Sequence, residues 1–443
     1  MSSGLLRVDL GAHVLRARTA PGPCPEGRVR DVVGVLVEVE GLVAPIGGQL
    51  EVKGRDSKLA LEVIGFRQGR LLAAPLGSTA GIVPGARVRA TPQADAVAVG
   101  DALLGRVLDA FGQPIDGRPL PVTTGQASLY ARPPSPYTRK PIHQALETRV
   151  RVLDALLPVG RGQRIGLFAG TGVGKSTLLG MLCRHSDADV IVVGLVGERG
   201  REVGDFVRGA LGEKGLARSV VVAATSDMPP LVRARGALRA TAIAEHFRSR
   251  GRSVLLVMDS VTRYAMALRE ASLAAGEPPL TKGYTPTVFA ALPALLERTG
   301  TDAGSGSITA VYTVLVEGDD LNDPIADAVR GILDGHIVLS RRLADRGLFP
   351  AVDVLRSVSR LISDIAKPDQ IDGAAKARDA LSTYAEAADL IQIGAYKPGS
   401  DPRIDAAREI APKVEALIRQ KPEEPVARIA ALAALRTAIG RKA

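Results

Sequence analysis

A glycine-rich segment followed by a lysine and a hydroxyl residue is the part of this chain with the clearest chemistry. Residues 169–177 are Ala-Gly-Thr-Gly-Val-Gly-Lys-Ser-Thr, between an apolar run at 165–168 and a helical pattern at 178–182. Glycines let backbone N–H groups turn onto phosphate oxygens at a helix N-terminus, which favours anions. We expect Lys175 to reach the β- and γ-phosphates and the Ser176 hydroxyl to ligate Mg²⁺. The predicted cofactor-binding residues are Gly170, Thr171, Gly172, Val173, Gly174, Lys175, Ser176 and Thr177.

Two carboxylates follow apolar runs further along the chain. Asp259 ends the run 254–258, and a carboxylate in that place is expected to hold Mg²⁺ through its water shell. Glu198 follows the run 190–197, and ligands of open α/β sheets lie at such strand ends. There a carboxylate can orient and polarise a water against the γ-phosphate. From the residues alone, an ion pair of Glu198 with a neighbouring arginine is an equally good interpretation.

The elements that must position these groups alternate between strands and helices. Apolar runs at 189–194, 219–224, 253–258 and 307–314 are separated by helical patterns, which predicts an α/β fold with a parallel sheet. Upstream, short strand-like runs at 33–39, 59–64 and 70–74 are separated by glycine and proline, which predicts a small β-barrel. The C-terminal part predicts helices broken at 394–402 and around Pro422 and Pro425.

These patterns predict five segments. They are an N-terminal tail (1–28), a β-barrel domain (29–95), a linker (96–140), a nucleotide-binding domain (141–364) and a C-terminal helical domain (365–443).

Composition narrows the class of protein. Charged residues make up 23% and hydrophobic residues 46%, as in ordinary globular proteins. No apolar run approaches the ~20 residues that cross a membrane, and the two cysteines show no motif, so we expect free thiols and a cytoplasmic location. The net charge of +10 fits nucleic acid, an acidic membrane surface, an acidic partner or merely scattered arginines. Aromatic residues are only 3%, so base stacking and nucleic-acid binding are not expected.

Several motifs together resemble the rotary ATPase superfamily, and in particular its protein-export branch with the flagellum-specific ATPases. The resemblance covers about residues 30–405. The motifs lie at 159–181, 189–205, 259–265, 276–279, 283–289, 334–341, 349–353 and 357–360.

The resemblance implies a RecA-like core that hydrolyses ATP with Mg²⁺. Glu198 takes the place of the catalytic carboxylate, and Arg199 and Arg263 lie near the phosphates or brace the site. Arg360 matches the arginine finger, which reaches into a neighbouring subunit's site and stabilises charge on the γ-phosphoryl group. The implied catalytic residues are therefore Lys175, Glu198, Arg199, Arg263 and Arg360, and the implied metal ligands are Ser176 and Asp259.

Two further assignments follow from the resemblance. Phe349 takes the place of an aromatic ring against adenine, and Tyr396 is expected to close the adenine pocket from the C-terminal domain. The acidic turn at 317–324 matches a loop that contacts a coiled-coil stalk near the central hole. A loop that only caps the next helix through Asp323 is the alternative.

One chain carries both the phosphate loop and the finger, so the resemblance implies a closed homo-hexameric ring. The implied function is to energise type III protein export for flagellar assembly, in the cytoplasm and peripherally at the inner-membrane export apparatus. The implied partners are a stator-like regulator at the N-terminus, a central coiled-coil stalk, the export gate and chaperone–substrate complexes. Peripheral contact with an acidic membrane surface is a further possibility.

Three other functions compete with this one. The ATPase of a virulence type III secretion system shares all the motifs. An RNA translocase resembling the transcription terminator Rho would also have a barrel and a phosphate loop, but residues 1–95 contain a single aromatic, Phe66, where base stacking needs several. A catalytic subunit of a membrane-coupled ATP synthase would need a sister chain.

Overall fold

The computed structural model describes residue 14 and residues 25–54, 58–91, 95–316 and 323–440. The chain divides into two compact units at residues 94 and 95. Most of the predicted tail, and residues 317–322 of the predicted acidic turn, lie outside the described residues.

The first unit is a closed six-stranded barrel with strand order β1-β2-β5-β4-β3-β6. The strands are β1 (Glu26–Val33), β2 (Leu36–Glu40), β3 (Gln49–Lys53), β4 (Lys58–Arg67), β5 (Arg70–Pro75) and β6 (Arg87–Ala90). Alternate side chains, such as Val37 and Val39, fill a core of their own. The run 33–39 is not one strand as predicted, because Gly34 has a φ of 58° and turns the chain between β1 and β2. The barrel begins at Glu26, inside the predicted tail.

The second unit is built on a nine-stranded sheet in the order β19-β18-β12-β17-β15-β13-β14-β8, with β16 paired to β17. All pairings are parallel except those of β16 and β19. The strands are β8 (Arg106–Asp109), β12 (Arg164–Ala169), β13 (Val190–Val196), β14 (Ser219–Ala224), β15 (Ser253–Asp259), β16 (Gly300–Thr301), β17 (Ser307–Leu315), β18 (Gly335–Val338) and β19 (Val358–Ser359). The α/β prediction is confirmed.

Helices cover both faces of this sheet. Along β13, Ile191, Val193 and Leu195 point into one apolar core, and Val190, Val192 and Val196 into the other. This alternation explains why the strand is a continuous apolar run. The helices are α1 (Arg151–Leu156), α2 (Lys175–His185), α3 (Gly200–Asp205), a π-helical turn (Phe206–Leu211), α4 (Gly212–Ala217), α5 (Pro230–Ser249), α6 (Val261–Ala274), α7 (Pro286–Leu296), α8 (Pro324–Ile332), α9 (Arg341–Asp345) and α10 (Ile362–Ile365).

The predicted linker differs from expectation, because β8 within it forms an edge strand of the central sheet. Arg106 in β8 donates two hydrogen bonds to Asp116, at 2.7 and 3.0 Å. The linker pattern already contained short strand pieces, but a strand of four residues with charged ends does not indicate which sheet it joins. The remaining short strands form two small two-stranded sheets: β7 (Ala96–Val99) with β9 (Gly125–Ser128), and β10 (Ala145–Leu146) with β11 (Val159–Gly160).

Three helices follow the sheet: α11 (Pro368–Gln392), α12 (Pro402–Ile418) and α13 (Arg428–Ala438). The breaks fall at the predicted places. Small residues such as Ala374, Ala377 and Ala407 let these helices pack closely into the same apolar core as α2. Asp323 caps α8 by accepting the N–H of Ile325 at 2.9 Å. None of the described helices is both long and apolar enough to cross a membrane.

Candidate active site

The phosphate loop connects the end of β12 to the start of α2. Gly172 and Gly174 have φ values of 81° and 90°, a region that side chains rarely adopt. No atom lies within 4 Å of a Cβ placed on Gly172, so its backbone is open to a ligand. Val173 between them is buried and anchors the loop in the core. The local sequence therefore produces a fixed loop with exposed backbone groups at a helix N-terminus.

A cavity of about 340 Å³ lies at this carboxyl edge of the sheet. Most of the predicted site residues meet there. Its lining comprises Gly170, Thr171, Gly172, Gly174, Lys175, Ser176, Thr177, Leu195, Glu198, Arg199, Glu202, Phe206, Asp259, Arg263 and Leu315.

Lys175 is the positive centre of this cavity. Its Nζ forms an ion pair with Asp259 Oδ1 and lies 3.8 Å from Glu198 Oε1. The three side chains are nearly buried, so water screens these charges weakly. Thr313 on β17 donates a hydrogen bond of 2.7 Å to Asp259 Oδ1. Asp259 is thus held by an ammonium and a hydroxyl.

Glu198 is strongly perturbed by its surroundings. Burial raises the pKa of its carboxyl to about 7, the negative charge of Asp259 adds to the rise, and Lys175 opposes it. A hydrogen bond with Glu198 lowers the pKa of Glu202 on α3. Glu198 Oε1 is buried and has no hydrogen-bond partner within the described part of the chain. Such an acceptor suits a bound water or a ligand.

The two arginines in the lining differ in their surroundings. Arg263 lies in the first turn of α6, where its N–H donates to the capping Ser260 hydroxyl. It packs against the loop that carries Glu198, because a Cβ placed on Gly197 would lie only 2.9 Å from the Arg263 Cβ. Its Nε is buried and makes no hydrogen bond to any described residue. Arg199 is three-quarters exposed and pairs with Glu202 at 3.5 Å. Arg263 therefore belongs to the wall of the cavity, and Arg199 to its rim.

Two aromatic residues expected near adenine lie in different places. A Cβ on Gly174 would lie 3.5 Å from the ring of Phe349, so this ring is beside the phosphate loop although it is not part of the cavity wall. The Phe349 carbonyl accepts the N–H of Gln420 at 2.9 Å. Tyr396 also lies outside the cavity wall, and its hydroxyl is hydrogen-bonded to the Asp401 carbonyl and to Asp405 in the first turn of α12.

Arg360 lies at the opposite edge of the sheet. Its N–H donates to the Asp334 carbonyl at 3.1 Å, beside Arg164 at the start of β12. The phosphate loop follows Ala169 at the other end of this six-residue strand, about 17 Å away at the usual rise per residue. The structure does not bring Arg360 to the cavity of its own chain.

Sequence reasoning did not assign to the site the lining residues Leu195, Glu202, Phe206 and Leu315, or Thr313 behind Asp259. Glu202 and Phe206 line the wall, and Thr313 contacts Asp259. A hydroxyl inside the apolar run 307–314 was the signal for Thr313, but its meaning depends on β17 lying beside β15.

A fixed glycine loop, a buried lysine and two carboxylates on adjoining strands define a P-loop nucleotide-binding protein with a RecA-like core. The hydroxyl of Ser176 and the carboxylate of Asp259 are oxygen donors of the kind that Mg²⁺ prefers.

The chain belongs to the ATP synthase alpha/beta family and is a P-loop ATPase. Residues 149–359 match the family's nucleotide-binding domain and residues 29–92 its beta-barrel domain. Residues 366–437 match the C-terminal domain of the type III secretion ATPase EscN.

Relatives and solved structures agree with this family. The flagellum-specific ATP synthase of Bacillus subtilis (strain 168) is 52% identical over 94% of this chain and 95% of its own length. The type 3 secretion system ATPase of Xanthomonas euvesicatoria is 49% identical over 86% and 88%. The structure of the assembled ATPase EscN from enteropathogenic E. coli is 42% identical, with a TM-score of 0.89 over 93% of this chain and 100% of EscN. The structure of EscN in complex with its central stalk EscO is 41% identical, with a TM-score of 0.86 over 93% of this chain and 100% of EscN.

Proposed function

We propose that this chain energises type III protein export for flagellar assembly, and that it works as a closed homo-hexameric ring with active sites shared between neighbours. The position of Arg360 carries the proposal. It lies at the amino edge of the sheet, whereas the cavity lies at the carboxyl edge. Arg360 can complete a site only in a second copy of the chain, and a ring gives every copy such a neighbour.

Each side chain of the cavity has a proposed part in hydrolysis. Lys175 neutralises the β- and γ-phosphates, and Ser176 and Asp259 hold Mg²⁺. When bound, Mg²⁺ would draw charge from the phosphate oxygens. Glu198, whose Oε1 has no hydrogen-bond partner among the described residues, accepts a hydrogen bond from the attacking water and orients it.

The arginines take positions around this water and the phosphates. Arg263 in the cavity wall braces the loop that carries Glu198, and Arg199 at the rim approaches the phosphates when the neighbouring subunit closes the site. Arg360 of that neighbour stabilises negative charge on the transferring phosphoryl group.

The base of the nucleotide has a proposed place beside Phe349. Its ring is next to the phosphate loop and 43% exposed, which leaves a face for stacking on adenine. The bonds of Tyr396 to Asp401 and to Asp405 on α12 make it the weaker candidate, because they would have to break before the ring could reach adenine.

The partners and the location are also part of the proposal. The complex of EscN with EscO supports a central coiled-coil stalk for this chain. A stator-like regulator, the export gate and chaperone–substrate complexes are proposed from the family resemblance. The same resemblance supports a cytoplasmic location at the inner-membrane export apparatus.

Mixing two inactive variants tests the shared site. Lys175→Ala removes the loop function but keeps the finger, and Arg360→Ala does the reverse. In an equal mixture about a quarter of the interfaces join an intact loop to an intact finger. We expect ATP hydrolysis to return on mixing, measured as phosphate release. Failure of the mixture to regain activity, with both variants folded and assembled, would contradict shared sites.

A virulence secretion system is the runner-up, since its ATPases are 42% and 49% identical and the flagellar relative is 52% identical. Restoring motility in a flagellar host that lacks its own export ATPase separates the two functions. Recovery supports the flagellar role, whereas export of virulence cargo alone supports the other.

A further inference from the structure

The amino edge of the sheet contains a hydrogen-bonded pair that joins the phosphate-loop strand to the finger. Asp334, just before β18, accepts the backbone N–H of Arg164 at 3.0 Å and its Nε and Nη2 at 3.1 Å each. Arg164 is the first residue of β12, and its Nη1 also lies 2.6 Å from Glu297 Oε2. Both partners are largely buried. A charged pair held by two parallel bonds has little freedom to shift.

The same aspartate holds the finger through its backbone. The Asp334 carbonyl accepts the N–H of Arg360 at 3.1 Å and the side-chain amide of Gln163 at 2.9 Å. The next residue, Gly335, pairs with Ser359 in β19. A Cβ on Gly335 would lie 2.5 Å from the Val358 carbonyl oxygen, so β18 and β19 approach as closely as a glycine permits.

We propose that Asp334 is a positioning residue for the arginine finger, and that its pair with Arg164 fixes where Arg360 is presented to the neighbouring subunit. This inference rests on the proposed shared site. Arg360 itself is exposed, and toward the described residues its side chain donates a single long hydrogen bond, 3.4 Å to the Arg330 carbonyl. Its place is therefore set by its backbone, whose N–H is bonded to the Asp334 carbonyl and which follows the pairing of Ser359 with Gly335.

The carboxylate is required because all three of its donors are N–H groups of Arg164. An asparagine in its place offers one acceptor oxygen and turns an amide N–H₂ toward those donors, so the parallel bonds are lost. Misplacing a catalytic group by about 1 Å costs up to ~10²-fold in rate. We expect Asp334→Asn to lower kcat by about 10–100-fold while its own loop still binds nucleotide normally.

Asp302→Asn is a matched control. Asp302 also pairs with a buried arginine at the amino edge, Arg248 at 3.0 Å, but has no bond to β18 or β19. We expect this variant to keep the wild-type kcat. Binding of a fluorescent ATP analogue and thermal unfolding are measured for both variants.

Mixing with Lys175→Ala locates the defect. If Asp334 acts through the finger, the Asp334→Asn subunit still has a working loop, and the Lys175→Ala neighbour supplies a sound finger. We expect activity well above that of either variant alone. Gly335→Ala, which displaces β19 without touching Arg164, is a second variant with the same expectation if Asp334→Asn folds poorly.

The outcomes separate the two proposals. Wild-type kcat in Asp334→Asn would overturn the positioning role. So would a mixture of Asp334→Asn with Lys175→Ala that stays inactive while Arg360→Ala with Lys175→Ala recovers, because the defect would then lie in the variant's own loop. Failure of that second mixture as well would instead count against the shared site.

Discussion

The two edges of the central sheet use charged residues in opposite ways. At the carboxyl edge, Glu198 Oε1 and Arg263 Nε are buried without a hydrogen-bond partner among the residues described. At the amino edge, the buried arginines face carboxylates: even Arg164 Nη1 and Arg248 Nε, which make no hydrogen bond within the described ranges, lie 2.6 and 3.0 Å from the carboxylate oxygens of Glu297 and Asp302. Arg298 is only 2% exposed and donates to both oxygens of Glu245, at 2.9 and 2.6 Å. Arg164 is bound by Asp334 in the same manner.

This difference indicates that the buried polar groups at the carboxyl edge are available to a ligand, whereas the ion pairs at the amino edge stabilise the fold. Leaving a buried polar group unpaired costs about 1–3 kcal/mol, and a binding site is one place where a folded chain retains such a group, because a ligand or water can satisfy it there. Paired groups at the other edge fix the shape instead. Substitutions at the carboxyl edge should therefore lower the rate of ATP hydrolysis, whereas substitutions at the amino edge should lower the free energy of unfolding.

The largest expected effect is on rate. Glu198→Gln removes the carboxylate proposed to orient the water, so kcat should fall by about 10²–10⁴-fold, with nucleotide binding retained. Phosphate release and binding of a fluorescent analogue measure the two quantities. Glu409→Gln, which changes an exposed carboxylate paired with Lys413, is the control. An unchanged kcat in Glu198→Gln would contradict a role for this carboxylate at the carboxyl edge in ATP hydrolysis.

The next effect belongs to the amino edge. Glu245→Gln leaves the buried Arg298 without its counter-charge, and breaking a buried pair costs about 3–5 kcal/mol. We expect a lower guanidinium midpoint but an unchanged kcat for the folded protein. In the control, Glu270→Gln, the ion pair with Arg233 is half exposed on the glutamate side and should cost under about 1 kcal/mol. Equal losses in both variants would contradict the contrast.

A smaller effect depends on pH. The pKa of Glu198 is raised from 4.5 to about 7, so the folded state holds this proton more tightly than the unfolded state. Its contribution to stability is complete below the unfolded value and is lost as pH rises through about 7. Without nucleotide and with EDTA, Glu198→Gln should therefore have a higher Tm than the wild type at pH 8. Thermal unfolding should show this difference disappearing near pH 5; a difference that is constant with pH would contradict the shifted pKa.

The smallest expected effect concerns the base. Phe349→Ala removes one stacking face worth about 0.5–1.5 kcal/mol, so KM for ATP should rise by about 2–10-fold with little change in kcat. Steady-state kinetics measure both. Phe66→Ala in the barrel, where the ring is 56% exposed, is the control and should leave KM unchanged.

Local patterns were enough to predict the α/β core, the barrel, the phosphate loop and the cavity around Lys175, because each depends on short runs of sequence. Contacts between residues far apart in the chain could not be predicted from the sequence. Arg164 and Asp334 are 170 residues apart, and Thr313 gains its contact only through strand order. The prediction of a linker did not place β8 in the central sheet, because a strand of four residues with charged ends does not show which sheet it joins. The roles assigned to single site residues stay predictions.

The phosphate loop and Arg360 lie at opposite ends of one strand, and this separation affects the number of complete active sites in an assembly. With the proposed shared sites, a lone subunit contains no complete site, and an open row of subunits has one complete site fewer than it has members. Only closure removes the deficit. The rate of ATP hydrolysis per chain would then rise with the number of subunits that have a neighbour on the required side. An incomplete ring would hydrolyse less ATP per chain than the closed ring.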